Sequence, residues 1–456
     1  MDDQNAMEGF SKAPVPQAVF KNALPAMAAM VMVLIYNLAD TFFIGQTHDD
    51  FQVAAVSLAM PVFLVFMAVG TMFGVGGMSV ISRSLGEGKK EYAKKVCSFC
   101  MWSCIVVGMI MAALFLVFMD QILVSVGASP DTWEYTKTYL TIVSLGGPFV
   151  LISNCYSSII RAEGKAVQAT MGQLIGNLLN VILDPVMILG FGWDIAGAAI
   201  ATVIGNVAAA GYYLQYFLQG KSALSIHIKD FTLKDKVCGS VLAIGIPAAL
   251  DSLLMSVSQI ILNGQLTHYS DMAVAGMGVA MKVTMIIVML AMGIGQGVQP
   301  LLGYCVGAKL WKRFKETLRF SLFFALALGT VLTAICCLFV GQLVRIFLSA
   351  PDAYTYGVDF CRILLSSCWL FGVFYVLMNT LQAMGAATPA FIINLSRRGI
   401  LFISALFILQ AAMGITGLVW AQPVADVLST GLVAVLYGFT VKKLAVQPEN
   451  KAGSIT

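Results

Sequence analysis

Long apolar runs almost without charges cover most of the chain and limit what it can fold into. We count about twelve of them, each of roughly 20 residues or more, which is long enough for a helix to cross a bilayer. Only 11% of the 456 residues are charged, against roughly 25% in a soluble domain. The sequence therefore predicts an all-α polytopic membrane protein.

The spans are delimited by hydropathy and by glycine, proline and polar breakers. They lie near residues 22–45, 53–81, 96–119, 135–160, 167–189 and 195–217, and near 237–266, 272–303, 318–347, 358–381, 389–413 and 416–441. This division predicts a first six-helix lobe at 1–218, a connector at 219–236, a second six-helix lobe at 237–445 and a tail at 446–456.

Lysine and arginine fall on one side of this scheme. They occupy the loops after the second, fourth and eighth spans, the connector and the residues after the last span, which we call the cation-rich loops. The opposite loops, such as QTHDDF and ASPDTWEY, are poor in cations. By the positive-inside rule both termini, the connector and the tail are predicted to be cytoplasmic.

The two halves of the chain repeat at an offset of 221 residues. Six spans in each half give both halves the same orientation, so we predict two lobes related by a pseudo-twofold axis along the membrane normal, with substrate bound between or within them. The residues that match at this offset are Gly74, Gly76 and Gly86 with Gly295, Gly297 and Gly307, Pro130–Asp131 with Pro351–Asp352, and Ala162 and Gly164 with Ala383 and Gly385.

Two acids are embedded in the first half. Asp40 lies five residues before Gly45, and Asp184 lies six residues before Gly190, so both are expected about 7–9 Å from the outer helix ends. Embedded acids usually mark an ion or substrate pathway, although interhelical hydrogen bonding is the alternative. With no embedded lysine or arginine nearby, desolvation and mutual repulsion favour a proton on at least one acid. A carboxylate pair with amide and hydroxyl oxygens could instead hold Na⁺.

Polar side chains surround this depth. In the stretch NLLNVILDP, Asn177, Asn180 and Asp184 share one helix face, and Pro185 frees a backbone carbonyl one turn earlier. For Asn177, Asn180 and Thr202, contacts between helices explain the residue types as well as ligand binding does. Tyr139 is equally well interpreted as a site residue or as an anchor at the membrane interface. The further candidates for the site or its cavity are Tyr36, Asn37, Tyr139, Asn154, Thr202 and Asn206.

The second half carries a different set of charges. Ala405 stands where the repeat would place a second Asp184, so we predict a cation site in the first lobe only. The embedded charges of the second half are Asp251, Lys282, Arg397, Arg398 and Asp426. We favour a structural ion pair between Asp251 and Lys282. Arg397 and Arg398 are expected either to face a water-filled central cleft or to snorkel toward the cytoplasmic side.

Three stretches resemble signatures of the multidrug and toxic compound extrusion (MATE) transporters. They are NLADTFFIGQ in the first span, NVILDPVMILGFGWDIAGAAIAT across the fifth and sixth spans, and QAMGAATPAFIIN in the second half. The resemblance covers essentially the whole chain. It implies two six-helix bundles that form a V, and antiport of organic, often cationic, compounds against H⁺ or Na⁺.

The resemblance is strongest to the prokaryotic branch of DNA-damage-inducible efflux proteins. In that branch it implies a cation site, for H⁺ or Na⁺, formed by Asp40, Asn180, Asp184 and Thr202, with Tyr139 and Asn154 nearby. Other branches carry a glutamate eight residues after the proline of the seventh span, where this chain has Met255.

Several classes of function are disfavoured. The chain has no HExxH, no GxSxG and no histidine cluster, so we predict that it is not an enzyme and uses no cofactor apart from its coupling ion. A net charge of +4 is too small to predict a nucleic-acid partner. We expect a monomer in the plasma membrane of a prokaryote, in contact with lipid and small organic substrates. The alternative is a flippase for lipids or lipid-linked oligosaccharides from the same superfamily.

Overall fold

The computed structural model describes residues 9–46, 49–220, 222–348 and 350–452. Within them, ten helices are long and apolar enough to cross a membrane, and two bent helix pairs bring the number of spans to twelve. The predicted all-α polytopic fold is thus confirmed.

The first lobe contains six spans and the second lobe another six. In the first lobe they are α1 (Val15–Gly45), α2 (Asp50–Gly86), α3 (Lys90–Val117), α4 (the pair Trp133–Leu145 and Gly147–Ala162), α5 (Ala166–Pro185) and α6 (Asp194–Leu218). In the second lobe they are α7 (Val237–Thr267), α8 (Asp271–Gly307), α9 (Trp311–Leu338), α10 (the pair Pro351–Cys368 and Phe371–Ala383), α11 (Ala387–Asn394 and Phe402–Met413) and α12 (Ile415–Ala452). Short helices at Met119–Ser125 and Val340–Arg345 follow α3 and α9.

Two spans that the hydropathy pattern predicts as single continuous helices are bent. The two parts of α4 meet at 56° and the two parts of α10 at 46°. In α4 the break falls at the sequence Gly146, Gly147, Pro148, where proline lacks the N–H for a helical hydrogen bond. In α10 the amide of Leu370 bonds to the carbonyl of Ser367, which makes a tight turn without proline. The twelfth helix also runs further than predicted, so residues 446–452 of the expected tail are helical.

Wide π-helical turns occur in α5 and α11. Val186–Gly190 continues α5 directly after Asp184 and Pro185, and Leu395–Leu401 joins the two parts of α11. Such turns are rare and frequently lie at functional sites. Each turn adjoins or contains an embedded charge, Asp184 in the first lobe and Arg397 in the second.

The two lobes exchange the beginnings of their first helices. Val19, Ala23 and Met27 of α1 pack into the core of the second lobe. Val237 and Val241 of α7 pack into the core of the first lobe. Both segments lie in the half of the bundle next to the cation-rich loops, so the lobes are held together on that side.

Glycines bring the backbones of the two lobes into direct contact in this half. Gly76 of α2 lies against the carbonyl of Val241, and Gly245 of α7 lies against the carbonyl of Met72. A Cβ atom on either glycine would collide with that backbone oxygen. We call the contact between the lobes in this half the seam: α1 and α2 make most of it with α7 and α8, and α4 and α10 contribute at its edge. It leaves the opposite half of the interface open.

Candidate functional site

Beyond the seam, the lobes enclose a chamber of about 530 Å³. Helices α1, α2, α4, α5 and α6 of the first lobe supply most of its wall, whereas the second lobe supplies only Met255, Met285 and Met289 among the described residues. Asp40 is the one carboxylate in the described lining, which includes no lysine, arginine or histidine. The chamber wall is therefore asymmetric in both polarity and charge.

Asp40 and Asp184 are both buried acids with unpaired oxygens. Each carboxylate has one buried oxygen, Oδ1, with no hydrogen-bond partner among the described residues. The two side chains lie close enough to interact electrostatically, and no ion pair within the described chain neutralises either. A buried carboxylate oxygen without a hydrogen bond is costly, so both acids are candidates for binding a proton or a cation.

Asn180 and Thr202 connect Asp184 to the rest of the site. When its amide is oriented so that the nitrogen faces the carboxylate, which satisfies both amide atoms, Asn180 donates to Oδ2 of Asp184 at 3.1 Å. Its oxygen then accepts from the backbone nitrogen of Thr202 at 3.0 Å. The Thr202 hydroxyl lies near the phenols of Tyr36 and Tyr139. The two acids, the amide, the hydroxyl and the two phenols thus form one cluster.

Most of the first-lobe residues singled out from the sequence line the same chamber. Asp184 and Tyr139 are not part of the wall but lie behind it, and only 4% of Tyr139 is exposed. Asn206 accepts a hydrogen bond from Ser153 at 2.7 Å. The predicted residues that do line the wall are Tyr36, Asn37, Asp40, Asn154, Asn177, Asn180, Thr202 and Asn206.

Sequence reasoning missed three polar residues of the wall, Ser57, Ser153 and Gln173. The side-chain oxygen of Gln173 is buried without a partner among the described residues. Gln173 lies four residues before Asn177, so the helical spacing that linked Asn177 to Asp184 places it on the same face of α5. That signal was present in the sequence.

Two expectations for the second lobe are wrong. Asp251 and Lys282 form no ion pair within the described residues, and the Lys282 ammonium lies 5.7 Å from the ring centre of Phe347. Arg397 neither faces the chamber nor snorkels, because it is 1% exposed and pairs with Asp426 at 3.1 Å. Arg398 is half-buried and is absent from the described lining of the chamber. Spacing along the sequence could not assign these partners.

A twelve-span bundle in two lobes around one chamber defines a multi-pass membrane transport protein. The chain belongs to the MatE family, whose model matches residues 25–186 and 247–408, one match in each lobe. Because the family and its fold are those of transporters, the prediction that the chain is not an enzyme is confirmed.

Curated relatives and solved structures agree with this family. The chain is 32% identical to the multidrug export protein MepA of Staphylococcus aureus (strain MSSA476), over 91% of this chain and 92% of that one. The same values hold for MepA of Staphylococcus haemolyticus (strain JCSC1435). An outward-facing multidrug resistance MATE family transporter of the MOP superfamily superposes with a TM-score of 0.91, at 22% identity, over 96% of this chain and 98% of that one. At that identity the likeness establishes the fold.

Proposed function

We propose that the protein is a secondary active antiporter that exports organic, often cationic, compounds in exchange for H⁺ or Na⁺. The observation that carries the proposal is the acid cluster: Asp40 lines the chamber, and both Asp40 and Asp184 keep a buried oxygen without a described partner. The names of the MepA relatives support multidrug export as the physiological task.

The chamber suits a cationic, amphipathic substrate. Its volume of about 530 Å³ falls in the range of about 300–1,000 Å³ that is typical of small-molecule sites. Asp40 gives the wall a negative charge when it is ionised. Methionine is unbranched and adapts to different shapes, and five methionines contribute to the wall, namely Met60, Met67, Met255, Met285 and Met289. These features favour a site that accepts several organic cations.

The cation site is assigned to Asp40, Asn180, Asp184 and Thr202, with Tyr36, Asn37, Tyr139, Asn154, Asn177 and Asn206 around it. All four side chains offer oxygen atoms, which hard cations such as Na⁺ prefer. The two unpaired carboxylate oxygens can equally take up protons. The coupling ion is therefore H⁺ or Na⁺, and the experiment below discriminates between them.

The transport cycle follows from alternating access of this site. The positive-inside rule favours a cytoplasmic position for both termini and for the seam, so the chamber opens outward in this state. Ion uptake at Asp40 and Asp184 then compensates the carboxylates and favours substrate release. When the seam parts and the chamber faces inward, the ion leaves and a new substrate binds. We infer that this happens in a monomer in the plasma membrane of a prokaryotic cell.

Transport by purified protein in liposomes tests the proposal. Ethidium movement is measured under an imposed pH gradient, and under a Na⁺ gradient at fixed pH. We expect Asp40→Asn and Asp184→Asn each to reduce ion-driven transport at least about tenfold, because each removes a charge that the ion compensates. The matched control is Asp120→Asn, at an acid in the exposed helix Met119–Ser125. Full coupled transport in both variants of the cluster would refute the mechanism.

A further inference from the structure

The second lobe contains a buried charge cluster that the proposed cycle does not use. The Arg397 guanidinium donates through Nε and Nη2 to Oδ1 of Asp426, at 3.2 and 3.1 Å. Its Nη1 donates to the hydroxyl of Tyr375 at 3.3 Å, and its central carbon lies 4.3 Å from the ring centre of Phe374. Asp426 is 2% exposed. Both charges are thus removed from water and compensated by each other.

Neighbouring elements hold this cluster in place. The side chain of Gln422 donates to both carboxylate oxygens of Asp426 at 3.0 Å. Arg397 lies in the π-helical turn of α11, which is bonded to α7 through the residue before the turn and through a residue within it. Asn394 donates to the carbonyl of Pro247 at 2.6 Å, and Ser258 donates to the carbonyl of Arg398 at 2.6 Å.

The internal repeat shows what the cluster replaces. At the offset of 221 residues, Arg397 corresponds to Gly176 of α5. In α6 and α12 the pair Ile195 and Gly197 matches Ile415 and Gly417 at an offset of 220 residues. By that match Asp426 corresponds to Asn206, and Gln422 corresponds to Thr202.

These equivalent positions have opposite environments. Gly176, Thr202 and Asn206 all line the chamber, beside acids that have no cation of their own. None of their three counterparts is in the described lining. In the second lobe, an arginine stands at the position where Gly176 of the first lobe packs closely against the backbone of Gly205. It supplies a fixed positive charge, whereas in the proposed cycle the first lobe takes a cation from solution.

We propose that Arg397 is a tethered counter-cation that neutralises Asp426, confines coupling-ion binding to the first lobe and so sets the number of ions exchanged per substrate. The proposal rests on the antiport function proposed above. Arg397 is a positioning residue in this role, since it acts through Asp426 and not on the substrate.

The surroundings of Asp426 indicate what loss of Arg397 would do. Besides Arg397, the titratable groups that face the cluster are Tyr375 and Cys368 of α10 and Asp251 of α7. Asp251 has a buried oxygen, Oδ1, without a partner among the described residues. Without the guanidinium, Asp426 and Asp251 would be two embedded acids with no ion-pair partner among the described residues. That is the arrangement that Asp40 and Asp184 already have in the first lobe.

The ratio of ions to ethidium exchanged by proteoliposomes tests this inference. It is measured from the reversal potential for wild type, Arg397→Gln, Asp426→Asn and the double variant Arg397→Gln/Asp426→Asn. We expect Arg397→Gln to raise the ratio by one ion, whereas Asp426→Asn and the double variant keep the wild-type ratio. An unchanged ratio in Arg397→Gln overturns the proposal, and so does a changed ratio in Asp426→Asn.

Two further measurements test the inference if Arg397→Gln does not fold or if the transport assay fails. If Arg397→Gln does not fold, Arg397→Lys is expected to keep the wild-type ratio because it retains a cation, and a raised ratio refutes the proposal. Thermal unfolding with and without Na⁺, and across pH, is measured in the Asp40→Asn/Asp184→Asn background. Adding Arg397→Gln is expected to restore an ion-dependent melting temperature there, and adding Asp426→Asn as well is expected to remove it. This result does not depend on transport, so failure of the antiport proposal and failure of this one are distinguishable.

Discussion

The two lobes meet in unlike ways in the two halves of their interface. In the seam they touch backbone to backbone through Gly76 and Gly245. In the chamber half they are separated by a cavity, and the second lobe contributes only methionines to its described lining. In the proposed transport cycle, the tight contact seals the interface and the adaptable methionines accommodate the substrate.

The seam is tight without being strongly bonded. Arg161 of α4 donates to the side-chain oxygen of Gln296 on α8 at 3.2 Å, and the Ser79 hydroxyl donates to the carbonyl of Gln382. Gln299 is fully buried, yet neither of its amide atoms has a partner among the described residues. An unsatisfied buried group costs about 1–3 kcal/mol, and water would remove that cost when the lobes part. In the proposed transport cycle, such a seam would seal well when closed and open at little cost.

The largest expected effect comes from breaking the seam at Gly245. Gly245→Ala places a methyl group on the carbonyl of Met72, so the closed seam must distort. Overpacking of this kind costs about 1–3 kcal/mol, and we expect ethidium transport in liposomes to fall about tenfold or more. The matched control is Gly239→Ala on the same helix, where a Cβ atom meets nothing within 4 Å. Equal transport by the two variants would show that the glycine contact is irrelevant to sealing.

An effect of similar size is expected when the hydrogen bond between Arg161 and Gln296 is removed. Arg161 is buried, and Arg161→Gln deletes a charged donor to Gln296. A hydrogen bond to a charged group is worth about 1.5–3 kcal/mol, so the population with an open seam should rise about tenfold. Electron-spin distance measurements between labels in the loops after α2 and α8 report this shift. Arg319→Gln, at an exposed arginine, serves as control, and an unchanged distance distribution in Arg161→Gln contradicts the role.

In the chamber, conservative changes should alter selectivity more than overall activity. Met289→Leu keeps the volume of a lining residue, and such exchanges cost less than about 1.5 kcal/mol. We expect Michaelis constants to change about threefold or less, with different changes for different cations. Transport of several dyes provides the measurement, and Met109→Leu on the exposed surface of α3 is the control. A uniform change for all dyes would argue against an adaptable wall.

The smallest expected effect concerns the connector, which carries the chain from the first lobe to α7. Lys95 of α3 donates to Asp235 at 2.8 Å. This hydrogen bond, together with the charge of Lys95, holds the pKa of Asp235 below its usual range. A depressed folded pKa means that the contact stabilises the protein above the unfolded pKa of the acid. The contribution is lost as pH falls through the folded value.

Melting temperatures between neutral and acid pH check this expectation. Lys95→Gln should remove a small, salt-sensitive part of the acid dependence, because both side chains are exposed and screened. Lys90→Gln, at another exposed lysine of α3, should behave as wild type. Identical acid dependence in wild type and Lys95→Gln would show that the ion pair does not fasten the connector.

The sequence by itself determined the features that follow from local helix geometry. Apolar runs identified the spans, and the offset of 221 residues identified the repeat. The spacing of Asn177, Asn180 and Asp184 placed them on one face of α5, where Gln173 also lies. The absence of an acid at Ala405 led to the prediction of a cation site in the first lobe only. Each of these predictions follows from the sequence together with the period of a helix and the thickness of a bilayer.

Only the tertiary structure decided which helices and side chains meet. It bent α4 and α10, paired Arg397 with Asp426 rather than exposing it, and separated Lys282 from Asp251. It also made the chamber wall polar on one lobe and rich in methionine on the other. Such pairings depend on how far each helix is rotated about its axis and where it crosses its neighbours. A bend or a π-helical turn changes the rotation of a helix and the place where it crosses its neighbours. The hydropathy pattern predicts neither the bend nor the turn.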